Sequence, residues 1–295
     1  MNGSRSILLN GGEELIKLDD VVSAQLKNKL LEICDDIFSY CEENSLCCML
    51  GGGSALGAVR HKGFIPWDDD MDLNMPREDY DRFALGFEKA MGDKYTLFVP
   101  DGKHKATNLF MKVSLNGTVL EDIYSFGSGI KTGITVDIFP IENVPENNLK
   151  RKIKAVSSDI FAYSAVSAYM FQCKNNVMKD VYSKSKASRI NYKFRMLVGA
   201  LLSFRNYQKW YACFDSFSKA SKSGALCTIP TGRKHYSGEM VNKMVFYPTK
   251  KMRFENKEYF VPNEVDTYLY NLYGDYMQLP PESQRERHAY ISLDF

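Results

Sequence analysis

Residues 51–75 read GGGSALGAVRHKGFIPWDDDMDLNM. Four carboxylates fall within five positions there: Asp68, Asp69, Asp70 and Asp72. Like charges this dense destabilise a fold unless a cation compensates them. On a strand, residues two apart share a face, so Asp70 and Asp72 project together while Asp69 turns the other way. Two hard oxygen ligands on one face make half of a Mg²⁺ or Mn²⁺ site; taken alone, the same pattern also suits an acidic surface turn. Upstream, Gly51-Gly52-Gly53-Ser54 reads as a tight turn from a strand into a helix. Backbone N–H groups at Gly52 and Gly53, with the Ser54 hydroxyl, can approach a phosphate in such a turn, although a plain strand-to-helix connection has the same appearance. Arg60, His61 and Lys62 add the cationic and donor groups a phosphate needs. A further acid, Asp137, stands alone in the apolar run Thr135-Val136-Asp137-Ile138-Phe139, where an unpaired charge is expensive. A salt-bridged core acid is the plain account of it. Together with Asp70 and Asp72 it has the makings of a metal site assembled from two adjacent strands.

These groups need elements to position them. Val22, Leu26, Leu30, Ile33, Ile37, Phe38 and Cys41 recur at helical spacing, which predicts a helix over 19–44 with Asp19 and Asp20 in its first turn. Leu46 to Leu50 reads as a buried strand, and the glycine turn then leads into a short helix. Met71 to Met75 reads as a second strand, followed by a helix that Pro76 opens and Gly92 stops. Asn116-Gly117 predicts a hairpin between Phe110–Leu115 and Thr118–Glu121. Gly133 to Phe139 is a strand closed by Pro140. Residues 146–222 read as helical with a break near Asn175-Asn176, 245–261 as strands around Glu255-Asn256, and 264–273 as a helix ended by Gly274. The order implies an α+β fold: a catalytic core over 1–147, a basic helical insertion or subdomain over 148–222, and a C-terminal segment over 223–295 that completes the site.

The long run Gly52-Gly53-Ser54, Leu56 to His61, Gly63 to Asp70 and Asp72 resembles the signature of the LicD family, which includes bacterial phosphocholine transferases and is related to fukutin-related protein. Val136 to Pro140 matches the family's downstream element, and Tyr273 to Tyr276 with Leu279-Pro280-Pro281 its C-terminal one. The resemblance spans about residues 20–140 and 245–290; the basic middle matches only loosely. It implies a nucleotidyltransferase-like mixed sheet flanked by helices, with Asp70, Asp72 and Asp137 holding Mg²⁺ or Mn²⁺. It also implies transfer of a phosphorylated small alcohol, phosphocholine-like, from a CDP-linked donor to a hydroxyl of a glycan or lipid-linked glycan. Gly53, Ser54, Arg60 and Lys62 would then hold phosphate oxygens, with Lys112 a further candidate that is equally a solvated strand lysine. Trp67 would stack on a base or face a cationic head, or simply pack in the core. His61 and His288 are lesser site candidates. The same acids serve an enzyme that adds a whole nucleotide and releases pyrophosphate, and the leaving group discriminates the two. A non-catalytic relative is disfavoured because all three acids are present.

Bulk properties bound these readings. The chain has 295 residues, 44% hydrophobic and 25% charged, the profile of a globular protein with a substantial core. No apolar run approaches bilayer length, and Met1 to Asn10 lacks the pattern of a signal peptide. Seven cysteines without a C-x-x-C pair read as buried thiols of a cytoplasmic protein, and nothing points to nucleic acid as a partner. Net charge is only +2, but it is unevenly spread. Residues 1–147 carry 14 basic and 24 acidic side chains, and residues 148–222 carry 15 and 3. A solvated helical surface explains the basic segment, as does an anionic partner such as a membrane headgroup layer at the inner face. Within it, Ile190, Phe194, Leu197, Leu201, Phe204 and Tyr207 form an apolar stripe along a helix expected over Lys184 to Tyr211. Such a stripe ordinarily packs into the core; the sharper alternative is that it lies against an anionic membrane.

Overall fold

A computed structural model of the chain describes residues 5–8, 14–221, 224–285, 288 and 290–295. Most of the Met1 to Asn10 stretch considered for a signal peptide lies outside the described residues, as does the last residue of the basic segment. The elements run in the order β1 (Arg5–Leu8), β2 (Glu14–Lys17), α1 (Asp20–Glu43), β3 (Met49–Leu50), α2 (Gly52–Arg60), β4 (Asp72–Pro76), α3 (Arg77–Met91), β5 (Tyr95–Phe98), β6 (Met111–Leu115), β7 (Val119–Asp122) and β8 (Thr135–Asn143). Four helices follow: α4 (Asn148–Gln172), α5 (Asn176–Ser183), α6 (Lys186–Leu202) and α7 (Tyr207–Ser218). The chain then returns through β9 (Leu226–Thr228), α8 (His235–Gly238), β10 (Val241–Asn242), β11 (Lys250–Phe254), β12 (Lys257–Val261), α9 (Val265–Tyr273) and β13 (Tyr290–Asp294). This is an α+β fold, a mixed sheet flanked by helices.

The central sheet has the order β10-β9-β8-β4-β3, with β6 also on β8 and β5 on β6. Strand β8 is its axis. One edge pairs parallel with β4; the other pairs antiparallel with β6 over its first half and with β9 at its end. Strand β8 runs through Pro140 and does not stop there. The Asp137 N–H donates to Met71 O on the β4 side, so by alternation residue 140 turns its nitrogen to the other edge. That edge is unpaired between β6 and β9, and no ladder bond is lost at the proline. Helix α1 packs its predicted stripe into the main core, with Leu26, Leu30, Ile33 and Ile37 at 1% exposure or less. The Asp19 side chain caps it by accepting from Val22 N–H at 2.8 Å.

Two expectations need correction. The Asn116-Gly117 turn forms, with Gly117 at φ 80°, but its flanking strands do not pair with each other. Strand β6 already has β5 and β8 on its edges, and β7 joins β13 in a separate sheet of order β1-β2-β13-β7. The segment before β8 runs between them: Leu115 N–H donates to Ile134 O, and Leu120 N–H to Thr132 O. The helix expected over Lys184 to Tyr211 is two helices, because Asn206 starts α7 with its own side-chain cap on Gln208 N–H. The apolar stripe lies outside the core as well: Ile190, Phe194, Leu197, Leu201 and Phe204 are exposed, and only Tyr207 is buried. The faces of this segment that do pack form a second, smaller core around Tyr169, Tyr211 and Phe214.

Arg77 joins the two regions. It opens α3, is 8% exposed, and meets Glu142 of β8 and, at 2.9 Å, Asp215 of α7. Both acids are buried too, and their charges hold the guanidinium protonated against the penalty of burial.

Candidate active site

Strand pairing brings the predicted acids together. In the parallel register of β4 and β8, Asp72 stands directly opposite Asp137. On the other edge of β8, Lys112 of β6 stands opposite Asp137 as well. Residues on one rung of neighbouring strands project to the same face, so Asp72, Asp137 and Lys112 form a row. The Lys112 Nζ donates to both Asp137 carboxylate oxygens, at 2.8 and 2.9 Å. Asp70 sits two residues before Asp72 and is partly exposed.

The start of α2 closes on these acids from the side. Gly52 adopts φ 43°, and a Cβ there would lie 2.6 Å from Asp72 Oδ2. Only glycine satisfies both the backbone and the space. A Cβ on Gly53 would lie 3.0 Å from Asp68 Oδ2. The partial positive end of the helix therefore abuts two carboxylates. The Ser54 hydroxyl accepts from Asp72 N–H at 2.9 Å, which locks helix to strand and leaves its proton free to donate. The Tyr268 hydroxyl receives both Gly52 N–H at 3.0 Å and Asn74 Nδ2 at 3.1 Å.

A cleft of about 930 Å³ opens over the acids. From the motif, Gly53, Arg60, Trp67, Asp68, Asp70 and Asp72 line it; from far along the chain come Arg233, Tyr273, Arg285 and His288. Two guanidiniums lie over the Trp67 ring, Arg285 at 4.3 Å and Arg60 at 6.0 Å. Arg60 is fixed by donating to Tyr276 O at 2.6 Å. His61 stays beside Trp67, edge-on at 6.2 Å. Lys62 is exposed, donates to Val59 O at 3.1 Å, and does not line the cleft. A second cavity of about 370 Å³ adjoins the first, sharing Asp72, Arg233 and Tyr273 with it, and is lined further by Asn74, Phe110, Phe139, Glu239 and Tyr268 among others. Asp72 lines both cavities.

The electrostatics are those of an acid cluster short of positive charge. Burial, then the charges of Asp70 and Asp137, push the Asp72 carboxyl well above the ordinary carboxylate range. Asp68 is pushed up to about 8 by burial, by the charge of Asp70 and by a hydrogen bond to it. Asp137 is raised by burial in spite of Lys112. His288 provides the other countercharge. Its Nδ1 lies 2.7 Å from Asp69 Oδ1 and its Nε2 3.6 Å from Asp70. Burial works against its charge, but the hydrogen bond to Asp69 and the charges of Asp70 and Asp69 prevail and push it up to about 10. Asp69 and Asp70 lie just before β4 begins, so strand alternation does not separate them: both reach His288, and their oxygens lie within 4.8 Å of each other. Crowding of buried carboxylates such as Asp68, Asp72 and Asp137, beside hard oxygen donors, is what a divalent cation relieves. Hard oxygen donors of this kind suit Mg²⁺ or Mn²⁺; among the described residues the groups whose ligand atoms all lie within 4.8 Å of one another are Asp69, Asp70 and His288.

Arg233 and Arg285 come from the C-terminal segment and carry no local pattern that marks them in the sequence. The nearest signal is the Tyr273 to Pro281 element, which brackets the cleft wall. Residues 45–163, which contain the five acids, match the family model described as LicD/FKTN/FKRP, nucleotidyltransferase domain. The chain is 27% identical over 266 residues to a lipopolysaccharide cholinephosphotransferase LicD of Haemophilus influenzae, a match that covers 88% of this chain and 95% of that protein. A shorter match, 34% identical over 58 residues, covers 20% of this chain and 22% of an uncharacterized protein of Rickettsia prowazekii. With the acid cluster inside the matched stretch and the similarity running through nearly the whole relative, residues 45–163 carry a domain of the LicD/FKTN/FKRP type and the chain as a whole is similar to LicD.

Proposed function

We propose that this chain transfers a phosphorylated small alcohol, phosphocholine-like, from a CDP-activated donor to a hydroxyl of a glycan or glycolipid, with Mg²⁺ or Mn²⁺ held by Asp70, Asp72 and Asp137. The observation that carries the reading is the rung shared by Asp72 and Asp137, with Asp70 two residues upstream and the start of α2 abutting the acids. The name of the Haemophilus relative supports a phosphate-containing group as the cargo and lipopolysaccharide as the kind of acceptor.

The acceptor hydroxyl oxygen attacks the phosphorus that carries the alcohol. A new P–O bond forms, the P–O bond to the bridging oxygen of the donor diphosphate breaks, CMP leaves, and the hydroxyl proton passes to a carboxylate of the cluster, Asp137 in our reading. Such transfers ask mainly for in-line positioning and neutralisation of charge. A bound divalent cation supplies part of that neutralisation. Arg60, Arg233 and Arg285 supply more from the wall of the large cleft, beside Gly53; Ser54 is buried off that wall and acts by holding the Asp72 N–H. Trp67 already holds a guanidinium against its face and suits a quaternary ammonium in the same place. Two cavities that meet at Asp72 give donor and acceptor separate room. Lys112 neutralises Asp137 and does not need to touch phosphate.

Incubation of the chain with CDP-choline and a glycan acceptor tests this. The expected result is CMP release that requires Mg²⁺ or Mn²⁺ and stops in EDTA. Full activity after exhaustive chelation would remove the metal from the mechanism. Pyrophosphate release from a nucleoside triphosphate would replace the reading with nucleotidyl transfer, which the description of the matched domain keeps in view.

A further inference from the structure

Large apolar side chains in the open concentrate on two helices of the basic segment. On α4, Leu149, Ile153, Val156 and Ile160 recur at helical spacing and are 58–68% exposed. On α6, Ile190, Phe194, Leu197 and Leu201 do the same at 55–70%, and Phe204, just beyond the helix, is 79% exposed. The two stripes are related. Helix α6 is seated on the continuation of the α4 stripe: the Tyr163 hydroxyl donates to Asn191 at 3.0 Å, and the Tyr163 and Phe194 rings are 6.0 Å apart. Farther along, Gly199 approaches so closely that a Cβ there would lie 2.3 Å from Ser167 O. From Tyr163 onward α4 is covered, and α6 shows its own apolar outer face in its place. Before Tyr163 the α4 stripe is bare. Core packing does not need these residues, because Tyr192 and Met196 on the inner side of α6 already serve the second core.

We propose that this bare apolar face seats the protein on an anionic lipid bilayer. Charge selects the occupant. The segment 148–222 has 15 basic side chains against Asp159, Asp180 and Asp215, and Asp215 is committed to Arg77 and Lys219. Lys150 and Lys152 flank the α4 stripe, Lys186 and Lys193 the α6 stripe, all four exposed. None of the four lies within 4.0 Å of a carboxylate among the described residues. Apolar side chains that enter the boundary of headgroups and acyl chains, with lysines reaching lipid phosphates, are the pattern of an interfacial helix pair. A second copy of the chain would set the same cationic rim against itself, which is repulsive. No helix among the described residues is long and apolar enough to cross a membrane, so the contact is peripheral. This inference is independent of the phosphotransfer reading.

Flotation of the full chain with vesicles tests it. Phosphatidylcholine vesicles alone should leave the protein in solution. Vesicles with roughly one third phosphatidylglycerol should carry it up at low salt, and less so as salt screens the charges. Phe194→Asp with Leu201→Asp should weaken this partition by more than about tenfold, with melting temperature and elution volume unchanged. Lys150→Glu with Lys152→Glu and Lys193→Glu should do so without touching an apolar residue, which covers the case in which the first variant misfolds. Absence of flotation with anionic vesicles at low salt overturns the proposal. So does flotation that both folded variants retain, or a dimer in solution that the first variant dissociates while vesicles stay unbound.

Discussion

The sheet core and the helical segment treat charge in opposite ways. In residues 1–147 acids outnumber bases by 24 to 14, and five of those acids are drawn together around the β4–β8 pair inside the central sheet, answered by Lys112 and His288. In residues 148–222 bases outnumber acids by 15 to 3, and the cations are spread outward beside exposed apolar side chains. One region concentrates unlike demands in a single cleft; the other distributes like charge over a surface. A net charge of +2 conceals both. The comparison teaches that charge asymmetry along a chain reports function only once burial is known, because a carboxylate beside other carboxylates and a lysine beside leucines are asking for different partners.

The comparison can be broken at its acid end first. Asp72→Asn and Asp70→Asn should each lower turnover by more than about a hundredfold. Stability should not fall, and for Asp72→Asn it should rise, since burial and the neighbouring acids hold that carboxyl far above its ordinary range. Turnover and thermal melting measured on the same preparation decide it, and a variant that keeps a tenth of the rate removes Asp70 or Asp72 from the metal site. Next is the joint. Arg77→Met leaves Glu142 and Asp215 buried without their main countercharge and should cost about 3–5 kcal/mol in denaturant unfolding; a loss under about 1 kcal/mol would show that the two regions are held together by something else. The third uses one residue type in both settings. Leu30, at 1% exposure, and Leu201, at 70%, should differ on truncation to alanine by about 2–5 kcal/mol against about 0.5 kcal/mol or less. Equal effects would mean that Leu201 is covered in solution.

The smallest effect concerns a buried acid away from the cluster. Glu239 is 4% exposed, and burial pushes its carboxyl up to about 7 from 4.5. A carboxyl raised on folding binds its proton more tightly in the native state, so it favours folding below its unfolded value and loses that contribution as pH rises through its folded one. Wild-type stability should therefore decline between about pH 4.5 and 7 by about 3 kcal/mol relative to Glu239→Gln, read from urea titrations of both proteins across that window. Parallel profiles would mean that Glu239 is ionised at little cost.

Much of the site could be read from local patterns. The Asp68 to Asp72 cluster, the glycine turn, the Asp137 strand and the α1 stripe all declare themselves by spacing, since a period of two or of three to four residues is a property of the chain itself. What was not legible depends on which strand lies beside which. The Asn116-Gly117 turn is correctly a turn, yet no local signal says that the segment before β8 will pass between its arms. Pro140 looked like a stop because its tolerance depends on a gap between β6 and β9. The exposed stripe of α6 has the periodicity of a core helix, and only the inner packing of Tyr192 and Met196 shows that the core was already supplied. His288 lies 219 residues from Asp69, and no spacing rule reaches that far.

Strand β13 has one more consequence. It lies between β2 and β7 in its sheet, with Tyr290 opposite both Ile16 and Asp122. A chain emerging from the ribosome therefore holds two unjoined edges, separated by a place that stays empty until residues 290–294 have cleared the exit. His288, just before that strand, reaches the acids at the same late moment. The order of synthesis thus keeps the cluster without its imidazolium until residue 288 has emerged, well after the acids themselves.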